Sequence, residues 1–173
     1  MLRTFETDRL KLRERTLQDM ECCLEMDRDV EVVKYIPPIA KLIDGPLASR
    51  EKHIQFIKEK MLTSYPNGLG YWTVESKYGE FIGWVMLVPM DKTAQKVEMG
   101  WRLRQKAWGK GYATEAATAI LNYALAELDI VEIIAEIHEC NTGSIRVAEK
   151  LGFENKGVSK TATDIRFSFR KTD

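Results

Sequence analysis

Two glycines with a lysine between them, Gly109-Lys110-Gly111, connect an apolar strand-like run to an amphipathic helix. The start of such a helix leaves about four backbone N–H groups without an intrahelical acceptor, and the macrodipole adds roughly half a positive charge there. Glycine keeps side chains away from these groups and allows positive φ, so consecutive N–H groups can surround a phosphate. Arg104, Lys106 and Lys110 add positive charge. The stretch therefore predicts a diphosphate site.

Two common nucleotide-binding loops do not fit this spacing. A Walker loop places its first Gly where Arg104 stands, and it needs Ser or Thr where this chain has Gly111. A dinucleotide fingerprint needs a third Gly at the position of Thr114. The local pattern leaves open a turn that binds nothing.

The elements that would position this site follow from periodicity. Apolar residues alternate from Val97 to Leu103, which is typical of a strand, and recur at helical spacing from Ala113 to Leu128. The β-branched run from Ile130 to His138 favours a buried strand beside the first one. The pair Asn141-Thr142 can then cap a short helix for which Gly152 supplies the left-handed C-terminal position.

The first half of the chain predicts one strand and three helical segments. Residues 3 to 15 contain a period-two strand, and Thr16 with Asp19 matches a capping box before a first helix. A helical turn from Glu31 to Tyr35 is expected to stop at Pro37-Pro38, which cannot donate to a helix ladder.

A third helix is expected to be capped by Ser49 and to present His53 to solvent; a role for His53 in a substrate site is the alternative. The remaining predicted strands cover Tyr71 to Glu75, Phe81 to Val88, Phe153 to Ser159 and Asp164 to Arg170. The first two form an antiparallel meander with the strand that precedes the glycine loop.

Length and composition limit the class of protein. The chain has 173 residues with 26 basic and 26 acidic side chains, which predicts a single domain over residues 1–173 and removes any global electrostatic case for binding nucleic acid or a membrane. An apolar span and a signal peptide are absent from the sequence, so a cytoplasmic location is expected. Three cysteines form neither a disulfide framework nor a metal-ligand pattern, so no metal is expected.

Two motifs carry a resemblance to a known family. Lys106-Ala107-Trp108-Gly109-Lys110-Gly111 resembles the Arg/Gln-x-x-Gly-x-Gly/Ala loop of the GNAT superfamily of N-acetyltransferases, with Lys106 in place of the usual Arg or Gln. Residues Asn141 to Phe153 resemble the Asn-x-x-Ser...Lys-x-Gly-Phe signature of the same family. The strings ETDRLKLR and WGKGYATEA resemble its RimL-like branch, which includes acetyltransferases of ribosomal-protein N-termini. The resemblance covers nearly the whole chain.

This resemblance implies a fold and a cofactor. The implied fold is mixed α/β (α+β): a largely antiparallel twisted sheet of about seven strands, a parallel splayed pair in its middle, and about four to five flanking helices. The implied cofactor is acetyl-CoA (CoA), with its pyrophosphate on the glycine loop and its thiol end near Asn141 and Ser144. The cofactor-binding residues implied in this way are Trp101, Arg102, Leu103, Lys106, Trp108, Gly109, Lys110, Gly111, Tyr112, Ala113, Thr114, Asn141, Ser144 and Lys150.

Acetyl transfer to an amine also needs a base and an acid. Glu98, which precedes the Gly100-Trp101 pair as in many relatives, is the candidate base, and a strand glutamate in an ion pair is the alternative. Glu136 and His138 are reserve candidates. The family's Tyr acid is replaced by Ala148, so Ser144 or a water that it holds is the candidate acid, and a plain helix cap is the alternative.

The acceptor is a primary amine that the sequence does not identify further. An α-amino group with pKa near 7.8 is roughly one-third neutral at pH 7.5, whereas a lysine is only about 0.1% neutral, a difference of about 3 kcal/mol. A weak base therefore favours a protein or peptide N-terminus, while a polyamine, an amino acid or an antibiotic amine stays open. A non-catalytic acyl-CoA-binding module and a structural domain are the rival hypotheses. A monomer and a homodimer are both compatible with the sequence.

Overall fold

Eight strands form one sheet in the residues that the computed structural model describes, which are 1–43, 47–159 and 163–171. The strands are β1 (Phe5–Glu6), β2 (Leu10–Glu14), β3 (Gly70–Ser76), β4 (Phe81–Pro89), β5 (Lys96–Leu103), β6 (Glu132–His138), β7 (Glu154–Val158) and β8 (Asp164–Arg170). The helices are α1 (Met20–Asp27), α2 (Val30–Val33), α3 (Pro37–Ile43), α4 (Leu47–Leu62), α5 (Tyr112–Glu127) and α6 (Thr142–Lys150).

The sheet is antiparallel everywhere except between β5 and β6. Its strand order is β1-β2-β3-β4-β5-β6-β8-β7, which confirms the predicted parallel pair in the middle of a largely antiparallel sheet. This pair is in register only from Lys96 opposite Glu132 to Glu98 opposite Ile134. Beyond Glu98 the two strands are no longer paired with each other.

The described part of the chain contains more elements than the sequence predicted. It has eight strands where about seven were expected, because the turn at Thr7, whose N–H donates to Leu10 O at 2.9 Å, divides the first strand in two. It has six α-helices where about four to five were expected. The extra helix begins at Pro37, where proline fits because the first helical residue has no N–H partner to lose. The prediction that Ser49 caps the third helix was wrong, because α4 already begins at Leu47 and Ser49 lies within it.

The two faces of the sheet carry different helices. On one face, α5 buries Ala117, Ile120 and Ala124 against Val97 and Met99 of β5. Side chains alternate along a strand, so the neighbours of these two β5 residues point to the opposite face. That opposite face carries α1 and α4, whose apolar residues pack against Phe81 and Trp84 of β4 and form a second, smaller core.

A buried charged cluster joins this second face to β5. Asp27, at the end of α1, accepts a hydrogen bond from Nη1 of Arg102 at 2.8 Å and lies 3.0 Å from Nε2 of His53 on α4. His53 is 3% exposed, so the prediction of a solvent-exposed histidine was wrong. The side chain of His53 can be buried because Asp27, 26 residues away in the sequence, supplies the polar partner that a buried imidazole needs. The cluster fixes α1 and α4 to the end of β5.

Replacement of Gly83 by alanine should destabilise the fold. A Cβ at Gly83 would lie 2.1 Å from the backbone oxygen of Arg102, so β4 and the end of β5 would have to move apart. We expect Gly83→Ala to lower the free energy of unfolding by about 3 kcal/mol in urea denaturation. Gly79→Ala is the control: it has open space around Cβ, and its positive φ should cost only about 1 kcal/mol. Equal effects of the two substitutions would contradict this account of the close approach.

Candidate functional site

A cleft of about 630 Å³ opens where β5 and β6 separate. The end of β5 and the loop after it form one wall, and the first turn of α6 forms the other. The glycine loop and the start of α5 lie at its mouth. This volume is within the range of small-molecule and cofactor sites. Twelve of the sequence-predicted site residues line it: Trp101, Arg102, Leu103, Trp108, Gly109, Gly111, Tyr112, Ala113, Thr114, Asn141, Ser144 and Lys150.

The first turn of α5 presents free backbone N–H groups to this cleft. The first intrahelical bond runs from Glu115 N–H to Gly111 O at 3.0 Å, so the three preceding N–H groups have no helical acceptor. Gly111 is the N-cap and has no side chain that could accept from them. The start of α6 differs, because the Asn141 side chain accepts from Ser144 N–H at 3.1 Å. The open helix start is therefore the one suited to an anionic group.

The two glycines of the loop both have left-handed backbone conformations. Gly109 has φ of 74° and Gly111 has φ of 79°, which explains why both positions are glycine. A Cβ at Gly109 would meet no atom within 4 Å, so the space beside the loop is free. The turn thus leaves open volume beside its backbone in the cleft, as expected of a phosphate-binding loop.

Arg9, from the turn before β2, holds the loop and the helix start together. Its Nη1 donates to the backbone oxygen of Lys110 at 2.8 Å, its Nε donates to Glu115 at 2.7 Å, and its guanidinium lies 4.7 Å from the ring centre of Tyr112. Although partial burial opposes ionisation of Glu115, hydrogen bonds from Thr7 and Arg9 keep its pKa below the ordinary value. Sequence reasoning missed Arg9, because 101 residues separate it from the loop that it contacts.

Two predicted cofactor residues, Lys106 and Lys110, do not line the cleft. Lys106 Nζ pairs with Glu80, while Lys110 accepts through its backbone oxygen. Arg102 does line the cleft, but its guanidinium pairs with Asp27 on the other face of the sheet. Trp108 is bonded back to the strand, with Nε1 donating to Leu103 O at 2.9 Å. Arg102 and Trp108 therefore form part of the wall of the cleft, with their polar groups already paired elsewhere.

Positive charge at the cleft comes from α6. Arg146 and Lys150 are exposed, line the cleft, and have no ion-pair partner among the described residues. Arg146 was not among the predicted site residues. The sequence could have indicated Arg146, because it lies four residues before Lys150 and therefore on the same face of the helix. The two side chains supply mobile cations beside the open helix start.

Ser144 lines the cleft, and its hydroxyl oxygen is oriented by a neighbour. Trp101 Nε1 donates to Ser144 Oγ at 3.3 Å, so the oxygen acts as an acceptor and its own proton stays available. Tyr35 also lines the cleft, and its ring centre lies 5.0 Å from that of His138. The phenol of Tyr35 is a second possible proton donor, which sequence reasoning missed because it lies in the connection between two short helices.

Glu98 lies on the face of the sheet opposite to α5, outside the lining of the cleft. Partial burial and the nearby charge of Glu136 raise its pKa, and Lys60 opposes this shift. Among the described residues, no basic nitrogen lies within ion-pair distance of its carboxylate, which argues against the ion-pair alternative. A carboxylate with no cationic partner is free to accept a proton, and the raised pKa makes it a stronger base than an ordinary carboxylate.

The side chains of both reserve candidates for the base already have hydrogen-bond partners. Glu136 accepts from Arg166 Nε at 2.8 Å, and His138 Nδ1 accepts from Cys140 N–H at 3.1 Å. Ala148 is fully buried, and its methyl side chain has no proton to donate to the departing thiolate. No helix in the described ranges is long and apolar enough to cross a membrane.

Comparison with known proteins identifies the family of this chain. The Acetyltransferase (GNAT) domain model matches residues 9–154. N-acetyltransferase p20 of Bacillus licheniformis is 29% identical over 91% of this chain and 85% of its own length. FsC-acetyl coenzyme A-N(2)-transacetylase of Aspergillus fumigatus is 33% identical, and the match covers 86% of this chain and 64% of that protein.

Solved structures agree with the family model. A GNAT-family acetyltransferase from Bacillus anthracis is 25% identical, with 98% of this chain and 99% of that chain covered and a TM-score of 0.77. Spermidine N-acetyltransferase from Vibrio cholerae, in complex with CoA and spermine, is 17% identical, with 95% and 97% covered and a TM-score of 0.71, which shows a common fold alone. The chain therefore belongs to the GNAT acetyltransferase family and is an N-acetyltransferase.

Proposed function

We propose that this N-acetyltransferase uses acetyl-CoA and transfers the acetyl group directly to a primary amine within a ternary complex. The observation that carries the proposal is the uncapped start of α5, with Gly109 and Gly111 in left-handed conformations at the mouth of the cleft. Free amides, a helix dipole and open space are the properties that a pyrophosphate requires.

Several parts of the chain would hold acetyl-CoA, which supplies an activated acetyl thioester when it is bound. The amides of residues 112–114 and the glycine loop would bind its pyrophosphate, and Arg146 and Lys150 would add charge beside it. The separated end of β5, at Trp101, offers backbone donors to the acetyl oxygen where the strand no longer pairs with β6. The fit of these donors to an anionic, elongated cofactor supports the proposal.

Glu98 is the proposed general base. It lies on the face with α1 and α4, while Trp101 and Ser144 lie at the cleft, so the base and the cofactor residues approach the separation of β5 and β6 from opposite sides. An amine entering from the α1 and α4 side would reach the acetyl group with Glu98 nearby to take its proton, directly or through water. Ser144 is the proposed acid for the departing thiolate, and Tyr35 is the second candidate.

The proposed acceptor is an amine of low pKa, such as a peptide or protein N-terminus. A carboxylate base is weak, so an amine that is already partly neutral reduces the demand on Glu98. Small-molecule amines remain the alternative acceptors. The cytoplasmic location, the single-domain organisation and the choice between monomer and homodimer stay predictions.

Substitution of Gly111 by glutamate should abolish binding of acetyl-CoA. Saturating ligand at 100 times its Kd stabilises a protein by about 2.7 kcal/mol, which is seen as a clear rise in Tm. We expect this rise with acetyl-CoA, a smaller one with ATP, and none with acetyl-CoA in Gly111→Glu, because the new side chain places a negative charge at the amides. Gly157→Glu is the matched control, since Gly157 also has positive φ with open space around it, far from the cleft in β7.

The same titration separates this proposal from its rivals. An unchanged Tm with acetyl-CoA in the wild-type protein would overturn the cofactor assignment. A rise in Tm without turnover of any amine in a broad panel is the result expected of a non-catalytic binding module.

Replacement of Glu98 by glutamine should remove the acidic limb of the pH profile. The base acts only when ionised, so kcat/KM should rise with pH as Glu98 loses its proton. Burial and Glu136 raise its pKa, and that rise should therefore occur at higher pH than for an ordinary carboxyl. We expect Glu98→Gln to lower kcat by roughly 10²- to 10⁴-fold. Glu136→Gln, which removes a like charge, should move the limb to lower pH.

Glu6→Gln is the control for these pH profiles, because Glu6 is an exposed strand carboxylate far from the cleft. It should leave both kcat and the profile unchanged. An acidic limb that persists in Glu98→Gln would assign the titration to another group.

A further inference from the structure

A second cavity, of about 190 Å³, lies outside the lining of the cofactor cleft. It is formed where β2 ends, where α4 ends and where β3 begins. Its polar lining includes Glu14, Arg15, Lys60, Tyr65 and Tyr71. The assignments made above for cofactor, base and acid use none of these five residues.

Arg15 is held in this cavity by the sheet and by aromatic rings. Its backbone N–H donates to Tyr71 O at 2.9 Å, which fixes it beside the start of β3. Its guanidinium carbon lies 3.8 Å from the ring centre of Tyr71 and 5.6 Å from that of Trp84. The side chain is therefore stacked on two aromatic rings, and it also lines the cavity.

This guanidinium has no anionic partner among the described residues. Its Nε is buried without a hydrogen-bond acceptor, and no carboxylate lies within ion-pair distance of its nitrogens. Arg13, two residues earlier, differs: it pairs with both Asp19 and Glu75. Burial also lowers the pKa of Arg15. A partly buried cation without a counter-ion opposes folding, which favours a ligand that supplies the missing anion.

Strand register relates Tyr71, which lines the cavity, to the face of β5 that carries the proposed base. Tyr71 interacts electrostatically with both Arg15 and Glu98, and Lys60, which lines the cavity, lowers the pKa of Glu98 against the effect of burial. Met86 on β4 connects these positions, since it lies opposite Tyr71 on one side and opposite Gly100 on the other. A molecule that placed its amine at Glu98 would therefore extend over Tyr71 toward Arg15.

We propose that Arg15 binds a carboxylate of the amine acceptor, so that the enzyme acetylates carboxylate-bearing primary amines such as amino acids or short peptides. The inference rests on the proposed acetyl transfer and names its acceptor class. The planar fork of Arg15 matches a carboxylate with two parallel hydrogen bonds. Glu14 also lines this small cavity, which favours a monoanion over a phosphate dianion. Arg15 and Lys60 together would repel a polyamine.

The test compares matched ligands that differ only in the anionic group. Alanyl-phenylalanine and its C-terminal amide have similar α-amines, and free phenylalanine and its amide form a second pair that tests amino-acid acceptors. In the second pair the adjacent carboxylate raises the pKa of the α-amine, so kcat/KM is expressed per concentration of neutral amine. For each pair, kcat/KM is measured, and the Tm of the CoA-bound protein is measured with the N-acetylated products, which needs no turnover. Spermidine is included as the cationic acceptor.

In the wild-type protein, at least one carboxylate ligand should exceed its amide by about tenfold or more in kcat/KM or in affinity. Spermidine should be a poor acceptor with a low kcat/KM. Arg15→Gln should remove this preference. Arg15→Lys, which keeps the charge without the fork, should retain part of it and guards against a variant that fails to fold. Lys11→Gln is the matched control, because it removes a cation from the exposed side of the same strand and should keep the full preference.

The inference is overturned if carboxylate and amide act equally on the wild-type protein, if no ligand of either pair binds, or if Arg15→Gln keeps the preference. The rise in Tm with acetyl-CoA, measured on the same samples, reports the cofactor site separately. A normal rise without a carboxylate preference overturns this acceptor class alone, whereas an absent rise overturns the proposed function itself.

Discussion

The parallel pairing of β5 with β6 ends almost as soon as it begins, and the rest of the site depends on this. The strands are in register only from Lys96 to Glu98, so the backbone after Glu98 has lost its partner on that side. A buried strand end with free N–H and C=O groups is costly unless something else satisfies them. Here the separation leaves a cleft at the end of β5, with the open start of α5 at its mouth.

Because side chains alternate on β5, this strand serves both faces of the sheet. Met99 packs in the core under α5, and Trp101 reaches Ser144 on α6. Glu98 and Arg102 belong to the opposite face, where Asp27 and His53 fix α1 and α4 to the strand. The proposed cofactor side and the proposed acceptor side are thus two faces of one strand. Their distance is set by backbone geometry, which is more rigid than loop conformation.

The charges on the two faces are arranged differently. On the cofactor side, Arg146 and Lys150 are exposed and mobile, which suits the neutralisation of phosphates in water. On the acceptor side, Arg15 is stacked on Tyr71, and Glu98 has a raised pKa in a partly buried setting. Fixed, desolvated charges discriminate between ligands more strongly than exposed ones do, because a wrong partner leaves them unsatisfied. Specificity is therefore expected on the acceptor side.

The sequence by itself determined the local features of this protein. The strand before the glycine loop, the helix after it, the Asn141 cap and the left-handed Gly109, Gly111 and Gly152 all follow from periodicity and backbone preferences that act within a few residues. The resemblance to the family also predicted a parallel pair of strands in the middle of the sheet, and the pairing of β5 with β6 confirms it.

Only the tertiary structure decided how distant residues meet. Arg9 reaches the loop across 101 residues, His53 is buried by a carboxylate 26 residues away, and Arg15 is left without a partner while Arg13 has two. Sequence patterns carry no information on which charge lies opposite which across a sheet. Such contacts depend on strand order and on the packing of helices on each face, and both are properties of the assembled fold.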